Sequence, residues 1–345
     1  MGKPTVAAGF PKAFLDFATS RGADRRALIE RSRINPDDLD KTAHRVPLAN
    51  YLDLLKAGIE LCREPALALR FGECVRIQDI TVVGLMGEVL ETLESGRQQM
   101  NRYGRLMIDD DEGGASDRFE FVRDGGDVWC KFSGTIYVDN PLITESAIAR
   151  GVCGARALLE SKGIVMKSSF PKAIHFTYEE PAYRAEYDRI FGVPLFFGSH
   201  MNAMVIDEAL LNIRLPHTSP HLSRILTTHV EELLKDLENS KSIRGRVESL
   251  LLPILHTGGA SMETIAGKLG LSRQTLFRKL KAEGVTFEKV LDELRHKLAL
   301  EYLNGKKIPV KQTAYLLGFS EPAAFSRAFK RWTGSSPRMT GAAKD

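Results

Sequence analysis

Arg273, Gln274, Phe277, Arg278 and Lys281 lie in one short stretch beside Leu276 and Leu280. If the stretch is helical, the two leucines share an inward face and the polar and cationic side chains take the outside. An Arg fork can bond guanine O6 and N7, and Gln can bond adenine N6 and N7 in the same bidentate way. Phe277 has two readings, a contact with thymine methyls or a place in the core. This is the chemistry of reading a base edge.

The surrounding pattern occurs twice. Ala266-Gly-Lys-Leu-Gly-Leu-Ser272 returns 48 positions later as Ala314-Tyr-Leu-Leu-Gly-Phe-Ser320. Beyond it, Leu276-x-Arg278-x-Leu280-Lys281 answers to Phe325-x-Arg327-x-Phe329-Lys330, at an offset of 49. A small Ala inside one helix, a Gly at the turn and a Ser to cap the next helix make each copy a helix-turn-helix. The spacing predicts supporting helices over 262–269 and 311–317 and recognition helices over 272–283 and 320–332. In the second recognition helix the outer face carries Glu321, Pro322, Ala323, Ser326, Arg327 and Lys330. That set is poorer in base-reading groups, so the first copy should do most of the sequence readout and the second should add backbone contacts. A helix over 287–303, with Leu291, Leu294, Leu298 and Tyr302 inward, would hold the two readers in adjacent major grooves, about 34 Å apart.

Charge follows the same division. Residues 240–345 hold 19 Lys and Arg against 9 Asp and Glu, a net +10, while the whole chain of 345 residues carries +4, leaving −6 for 1–239. A basic third behind an acidic two-thirds suits a DNA-binding domain joined to a sensing domain. Cys62, Cys74, Cys130 and Cys153 are dispersed and read as reduced, mostly buried thiols of a cytoplasmic protein. No long apolar run signals a leader or a membrane span.

The front part begins helical, with apolar spacing over 10–32, 48–62 and 85–107 and a further helix opened by Pro65. The period then changes to alternation over 119–121 and 128–138, joined by the hairpin signal Asp124-Gly-Gly-Asp127. Helix returns over 145–161 and from Pro181 to 191, and strands are expected over 173–178, 195–197 and 203–206. The expected fold is an α+β regulatory domain with a small antiparallel sheet, followed by an all-α domain of two helix-turn-helix units joined by a long helix. Domain bounds fall at 1–215, 216–239 and 240–345, the middle segment being a helical connector with its polar linker at 238–246. Leu222, Leu226, Val230, Leu233 and Leu237 step along that connector at near-heptad spacing. Such a stripe suits either a homodimer seam or docking onto its own domain. Trp129, Phe132, Tyr137, His175, Phe176 and Tyr178 are candidates to line a small-molecule pocket, or else ordinary core aromatics.

The carboxy-terminal residues resemble the DNA-binding domain of the AraC/XylS family of bacterial transcription regulators. The resemblance rests on Ser272-x-x-Thr-Leu-x-Arg-x-Leu-Lys and Arg295-x-x-x-Ala299-x-x-Tyr-Leu303. It continues in Leu317-Gly-Phe-Ser-Glu-Pro-x-x-Phe-Ser-Arg-Ala-Phe-Lys-Arg-Trp-Thr-Gly-x-Ser-Pro337. It implies base reading at Gln274, Phe277 and Arg278 and at Pro322, Ala323 and Arg327, with promoter DNA and RNA polymerase as partners and activation as the family habit. One departure is Arg338-Met-Thr after Pro337, where the family has Tyr-Arg. Residues 1–215 more loosely resemble the arabinose-binding-type amino-terminal domain of a subgroup of these regulators. They do so through Ile174-His-Phe, Pro181-x-Tyr-x-x-x-Tyr187-x-x-x-Phe191-Gly-Val-Pro-Leu-x-Phe197 and 210–215. That implies a ligand-responsive domain whose candidate effectors include amino acids or amines and fatty or aromatic acids. An enzyme domain fused to a DNA reader is the alternative. It would need a nucleophile elbow, dinucleotide fingerprint, phosphate loop or zinc motif, and none occurs. No catalytic residue, metal or cofactor is therefore expected.

Overall fold

The switch of hydrophobic period near residue 119 has a direct counterpart in the architecture. The computed structural model describes residues 4–39, 44–109, 119–164, 166, 169–216, 219–305 and 308–337. Its contacts divide the chain into two units, Met1–Leu234 and Lys235–Asp345.

The first unit opens with β1 (Thr5–Ala7), α1 (Gly9–Ser20), α2 (Arg25–Ser32), α3 (Pro36–Leu39), β2 (Arg45–Pro47), α4 (Leu48–Cys62) and α5 (Leu67–Cys74). Then come α6 (Ile77–Ile80), α7 (Val82–Leu85), α8 (Leu93–Met107), β3 (Ile108–Asp109), β4 (Phe119–Asp124) and β5 (Asp127–Phe132). After α9 (Thr135–Val138), α10 (Pro141–Ser161), β6 (Ala173–His175), α11 (Arg184–Phe191), β7 (Leu195–Phe196), β8 (Ala203–Asp207) and α12 (Glu208–Leu211), α13 (Pro220–Lys241) runs on past Leu234. Phe14, Leu15, Leu54, Leu55, Ile148 and Val152 bring α1, α4 and α10 into one core. Strands lie in two sheets, ordered β2-β1-β3 and β4-β5-β8-β6-β7. The hairpin at Asp124–Asp127 forms as expected, with Gly125 and Gly126 both at positive φ, the conformation its two-residue turn requires.

Several expectations need correction. The three-stranded sheet was not anticipated, because strands of two or three residues carry too little alternation to register. The larger sheet is mixed, since β6 and β7 run parallel. The strand expected through Val138 ends at Phe132; Gly134 turns the chain at φ 100° and α9 follows. The helix expected over 85–107 is broken by a 3-10 turn at Met86–Val89, and α8 starts afresh from a capping box between Thr92 and Ser95. Pro65 precedes α5 by two residues instead of opening it. Cys130 alone of the four cysteines is buried, and Cys74 is exposed.

The connector is more helical than its polarity suggested. The 238–246 segment is no linker: α13 reaches Lys241, Ser242 caps the next helix through Gly245 N at 2.9 Å, and that helix begins at once. Within the first unit the leucine stripe is divided. Val230 is fully buried in the core with Leu226 and Leu234 packed against it, while Leu222 and Ile225 are about half exposed. Leu233 is half-buried and Leu237 buried. No helix among the described residues is long and apolar enough to cross a membrane.

The second unit is all-α. It comprises α14 (Ile243–Leu251), a 3-10 turn at Leu252–Thr257, α15 (Met262–Lys268), α16 (Arg273–Ala282), α17 (Phe287–Leu300) with a π turn at Glu301–Gly305, α18 (Val310–Leu316) and α19 (Pro322–Thr333). Two cores form here. One gathers Val247, Leu251, Ile265, Leu276, Leu280, Val290 and Leu294; the other gathers Leu255, Ala299, Leu303, Leu317, Phe325 and Phe329.

The division of the α13 stripe predicts unequal mutational costs. Val230→Ala should destabilise the first unit by about 1–3 kcal/mol, and Leu222→Ala by no more than about 0.5 kcal/mol. Urea unfolding of the full chain measures both, and equal small losses would detach α13 from the core.

Candidate nucleic-acid interface

Both recognition helices follow a short helix and a turn, and the first copy has the serine cap expected of it. Ser261 caps α15 through Thr264 N at 3.1 Å, and Ser272 caps α16 through Thr275 N at 3.1 Å. Leu276 and Leu280 are buried, so the opposite face of α16 carries Gln274, Arg278 and Lys281, spaced by four and three residues and all exposed. Phe277 flanks that strip and is 51% exposed, which settles its place outside the core. Arg273 is also exposed but meets Glu263 across the turn at 2.8 Å, a solvent-facing pair that phosphate can displace at little cost.

In the second helix-turn-helix the inward residues of α19 are Phe325, Ala328 and Phe329. The outward strip is therefore Ala323, Arg327 and Lys330, each 49 positions beyond its counterpart on α16. Pro322 and Ser326 are half-buried, and the Ser326 hydroxyl donates to Pro322 O at 2.9 Å, so it is already engaged. Ser320 does not cap α19 as expected. Glu321 holds the N-cap position without a side-chain bond, and Pro322 follows at the first turn.

α17 sets the second turn. Arg295 on α17 donates through Nε to Leu317 O at 3.0 Å, covering the carbonyl end of α18, and its guanidinium lies 4.6 Å from the Phe319 ring centroid. Burial lowers the Arg295 pKa. Gly318 sits at φ 76°, and a Cβ there would lie 2.1 Å from Leu255 O, so the turn packs directly on the 3-10 segment. At the other end of the unit, Glu283 accepts hydrogen bonds from Ile243 N at 2.7 Å and Arg244 N at 3.0 Å, joining α16 to the start of α14. Sequence reasoning missed Arg295 and Glu283 as positioning groups, because a polar residue bound to backbone has no signature in hydrophobic spacing. Residues 338–340, with the departure from the family ending, lie outside the described residues.

The six aromatic candidates in the first unit form three groups. Trp129 and His175 point to the outer face of the larger sheet, where His175 stacks on Phe196 (4.6 Å) and meets Trp129 at a tilt (4.9 Å). Phe132 and Tyr137 pack together at 5.5 Å on the inner face. Phe176 and Tyr178 join a third cluster with Tyr187 and Phe197. That cluster surrounds a buried acid the sequence did not single out. Glu145 Oε2 accepts hydrogen bonds from Tyr187 and, at 3.0 Å, from Tyr183, while Tyr187 bonds Tyr178 at 3.1 Å. Its other oxygen, Oε1, has no hydrogen-bond partner, although the nearby Leu69 amide favours the charged form. Burial dominates and raises the Glu145 pKa to about 7.

Comparison with known proteins agrees with this division. Residues 22–215 match the arabinose-binding domain of AraC transcription regulator, N-term, and residues 265–342 match a helix-turn-helix domain family. The chain is 28% identical over 337 residues to the Ornithine utilization regulator of Pseudomonas aeruginosa, covering 96% of this chain and 95% of that one. It is 30% identical over 168 residues to the HTH-type transcriptional regulator VirS of Mycobacterium tuberculosis, 49% of each chain. Among solved structures, the transcriptional regulator CdpR from Pseudomonas aeruginosa aligns over 92% of this chain and 96% of its own, with a TM-score of 0.38 and 22% identity.

The raised Glu145 pKa has a thermodynamic consequence. The folded carboxyl keeps its proton up to about pH 7, whereas the unfolded one ionises near 4.5. The fold therefore binds the extra proton in that window, and stability should fall as pH rises through it, by about 3 kcal/mol in all. Glu145→Gln, neutral throughout, should lose this slope and exceed the wild type in stability at about pH 8. Urea midpoints across the window test it, and parallel slopes for the two proteins would contradict it.

Proposed function

Because the chain belongs to the AraC transcription regulators that carry the arabinose-binding-type amino-terminal domain, we propose that it activates a metabolic operon in response to a small molecule. In this reading residues 1–215 sense the effector, 216–239 connect, and 240–345 read the promoter. The observation that carries it is the matched pair of outward strips, Gln274, Arg278 and Lys281 against Ala323, Arg327 and Lys330, on helices built from separate cores. Gln274 and Arg278 offer bidentate base contacts, with Phe277 beside them for thymine methyls. Arg273 and Lys281 contact phosphate. The second strip keeps the cations but replaces Gln274 by Ala323 and Phe277 by Ser326, so it contributes chiefly positioning, with a base contact from Arg327 and small apolar contacts from Pro322 and Ala323.

RNA polymerase is the partner an activator requires, and the cytoplasm is its compartment. A homodimer is the proposed assembly. Its seam would use the exposed Leu222 and Ile225, since Val230 is committed to the core. A relative similar over nearly the whole chain is named for ornithine utilization, which favours amino acids and their catabolic products as the effector class.

Arg278→Ala should weaken binding to the cognate promoter by about 1–3 kcal/mol and leave binding to random DNA nearly unchanged. Lys330→Ala should weaken both alike and flatten the salt dependence. Mobility shifts at two salt concentrations separate these outcomes, and equal losses on both DNAs for Arg278→Ala would reassign it to the backbone.

A further inference from the structure

Cations buried inside a fold are normally paired with a carboxylate, because an uncompensated charge in a low-dielectric interior is expensive. Arg150 on α10 departs from that rule. Its Nη1 donates to Ser146 Oγ at 3.4 Å, a long bond within its own helix, and its guanidinium carbon lies 4.9 Å from the Phe10 ring centroid. Among the described residues it forms no ion pair, and the ionisable groups whose fields reach it are the phenols of Tyr51 and Tyr137. By contrast, Arg70, Arg184 and Arg189 of the same unit each meet two carboxylates.

The neighbours of Arg150 on other elements are aromatic. Phe10 comes from α1, Tyr51 from α4 and Tyr137 from α9, so three elements beside α10 converge on one guanidinium. Phe10 and Tyr51 are neighbours, with ring centroids 6.5 Å apart. Arg150 keeps part of its surface accessible, yet its guanidinium is deep enough in protein that burial lowers its pKa. A guanidinium with unused donors and aromatic neighbours, on a residue that is only partly buried as a whole, matches a planar oxyanion on an apolar body.

We infer that Arg150, walled by Phe10, Tyr51 and Tyr137, binds the carboxylate of the effector. The inference rests on the reading that the amino-terminal unit senses a small molecule, and it names the ligand class as organic carboxylates. Of the six aromatics chosen from sequence, Tyr137 belongs to this site. The carboxylate would accept two parallel hydrogen bonds from the guanidinium and supply the missing counter-charge, so the bound state closes around a neutral pair.

The test uses the full chain, with benzoate and hexanoate as probes and benzamide and hexanamide as uncharged counterparts. A carboxylate should raise the thermal midpoint of the wild type in a concentration-dependent way, by about 2–4 °C near saturation, and the amides should not. Arg150→Met should abolish that response without lowering the midpoint in the absence of probe by more than about 1 °C, because it keeps the apolar stem against Phe10 and removes a charge that meets no carboxylate among the described residues. Arg150→Lys should keep a weaker response. A midpoint several degrees lower for Arg150→Met without probe, together with no response of the wild type, would make Arg150 a structural cation and overturn the inference. Equal responses to acids and amides, retained in Arg150→Met, would also overturn it while leaving small-molecule sensing intact. Sensing itself is read separately, from whether probes alter promoter affinity in a mobility shift.

Discussion

The carboxy-terminal unit depends on one helix serving two cores. α17 gives Val290 and Leu294 to the first core and Ala299 to the second, and Leu291 and Leu298 pack against both. Each helix-turn-helix thus takes a wall of its core from the same helix. The helix also reaches out through Arg295, which fixes the second turn by bonding Leu317 O. Binding two DNA segments at once requires that the readers not drift relative to each other, since freedom lost on binding is subtracted from affinity. Sharing α17 removes that freedom in advance.

The repeat also explains why the two readers differ. Inward positions keep large apolar groups in both copies, Leu276 and Leu280 against Phe325 and Phe329, because each must fill a core. Outward positions keep the Arg and Lys of each strip but diverge at Gln274 against Ala323 and Phe277 against Ser326. Packing constrains the first set, and the proposed DNA contacts fall on the second. The proposed division of labour therefore rests on residues that the cores do not constrain.

Much of this was legible in the sequence because helix-turn-helix units are local. Their caps, turns and apolar spacing sit within about twenty residues, so periodicity finds them. Where the cap failed, at Ser320, the helix begins at Pro322, with Glu321 as an N-cap that makes no side-chain bond. The amino-terminal unit was harder to read because its decisive contacts are distant in sequence. β1 pairs with β2 forty residues away and with β3 about a hundred away, through strands too short to announce themselves. The aromatic candidates were chosen by residue type, yet strand pleating sent Trp129 and His175 to one face and Phe132 to the other. Glu145 and Arg150 were passed over because, inside an apparently ordinary amphipathic helix, a charged residue reads as solvent-facing. Only packing of α10 against its neighbours shows that both are enclosed.

We propose that α17 holds two unequal readers at the spacing of successive turns on one DNA face. Hydroxyl-radical footprinting of the full chain on a binding site selected from random DNA tests it most directly. For each bound chain two protected patches on one face are expected, centred about 10 base pairs apart. A single patch per chain, or two patches on opposite faces of the duplex, would contradict it.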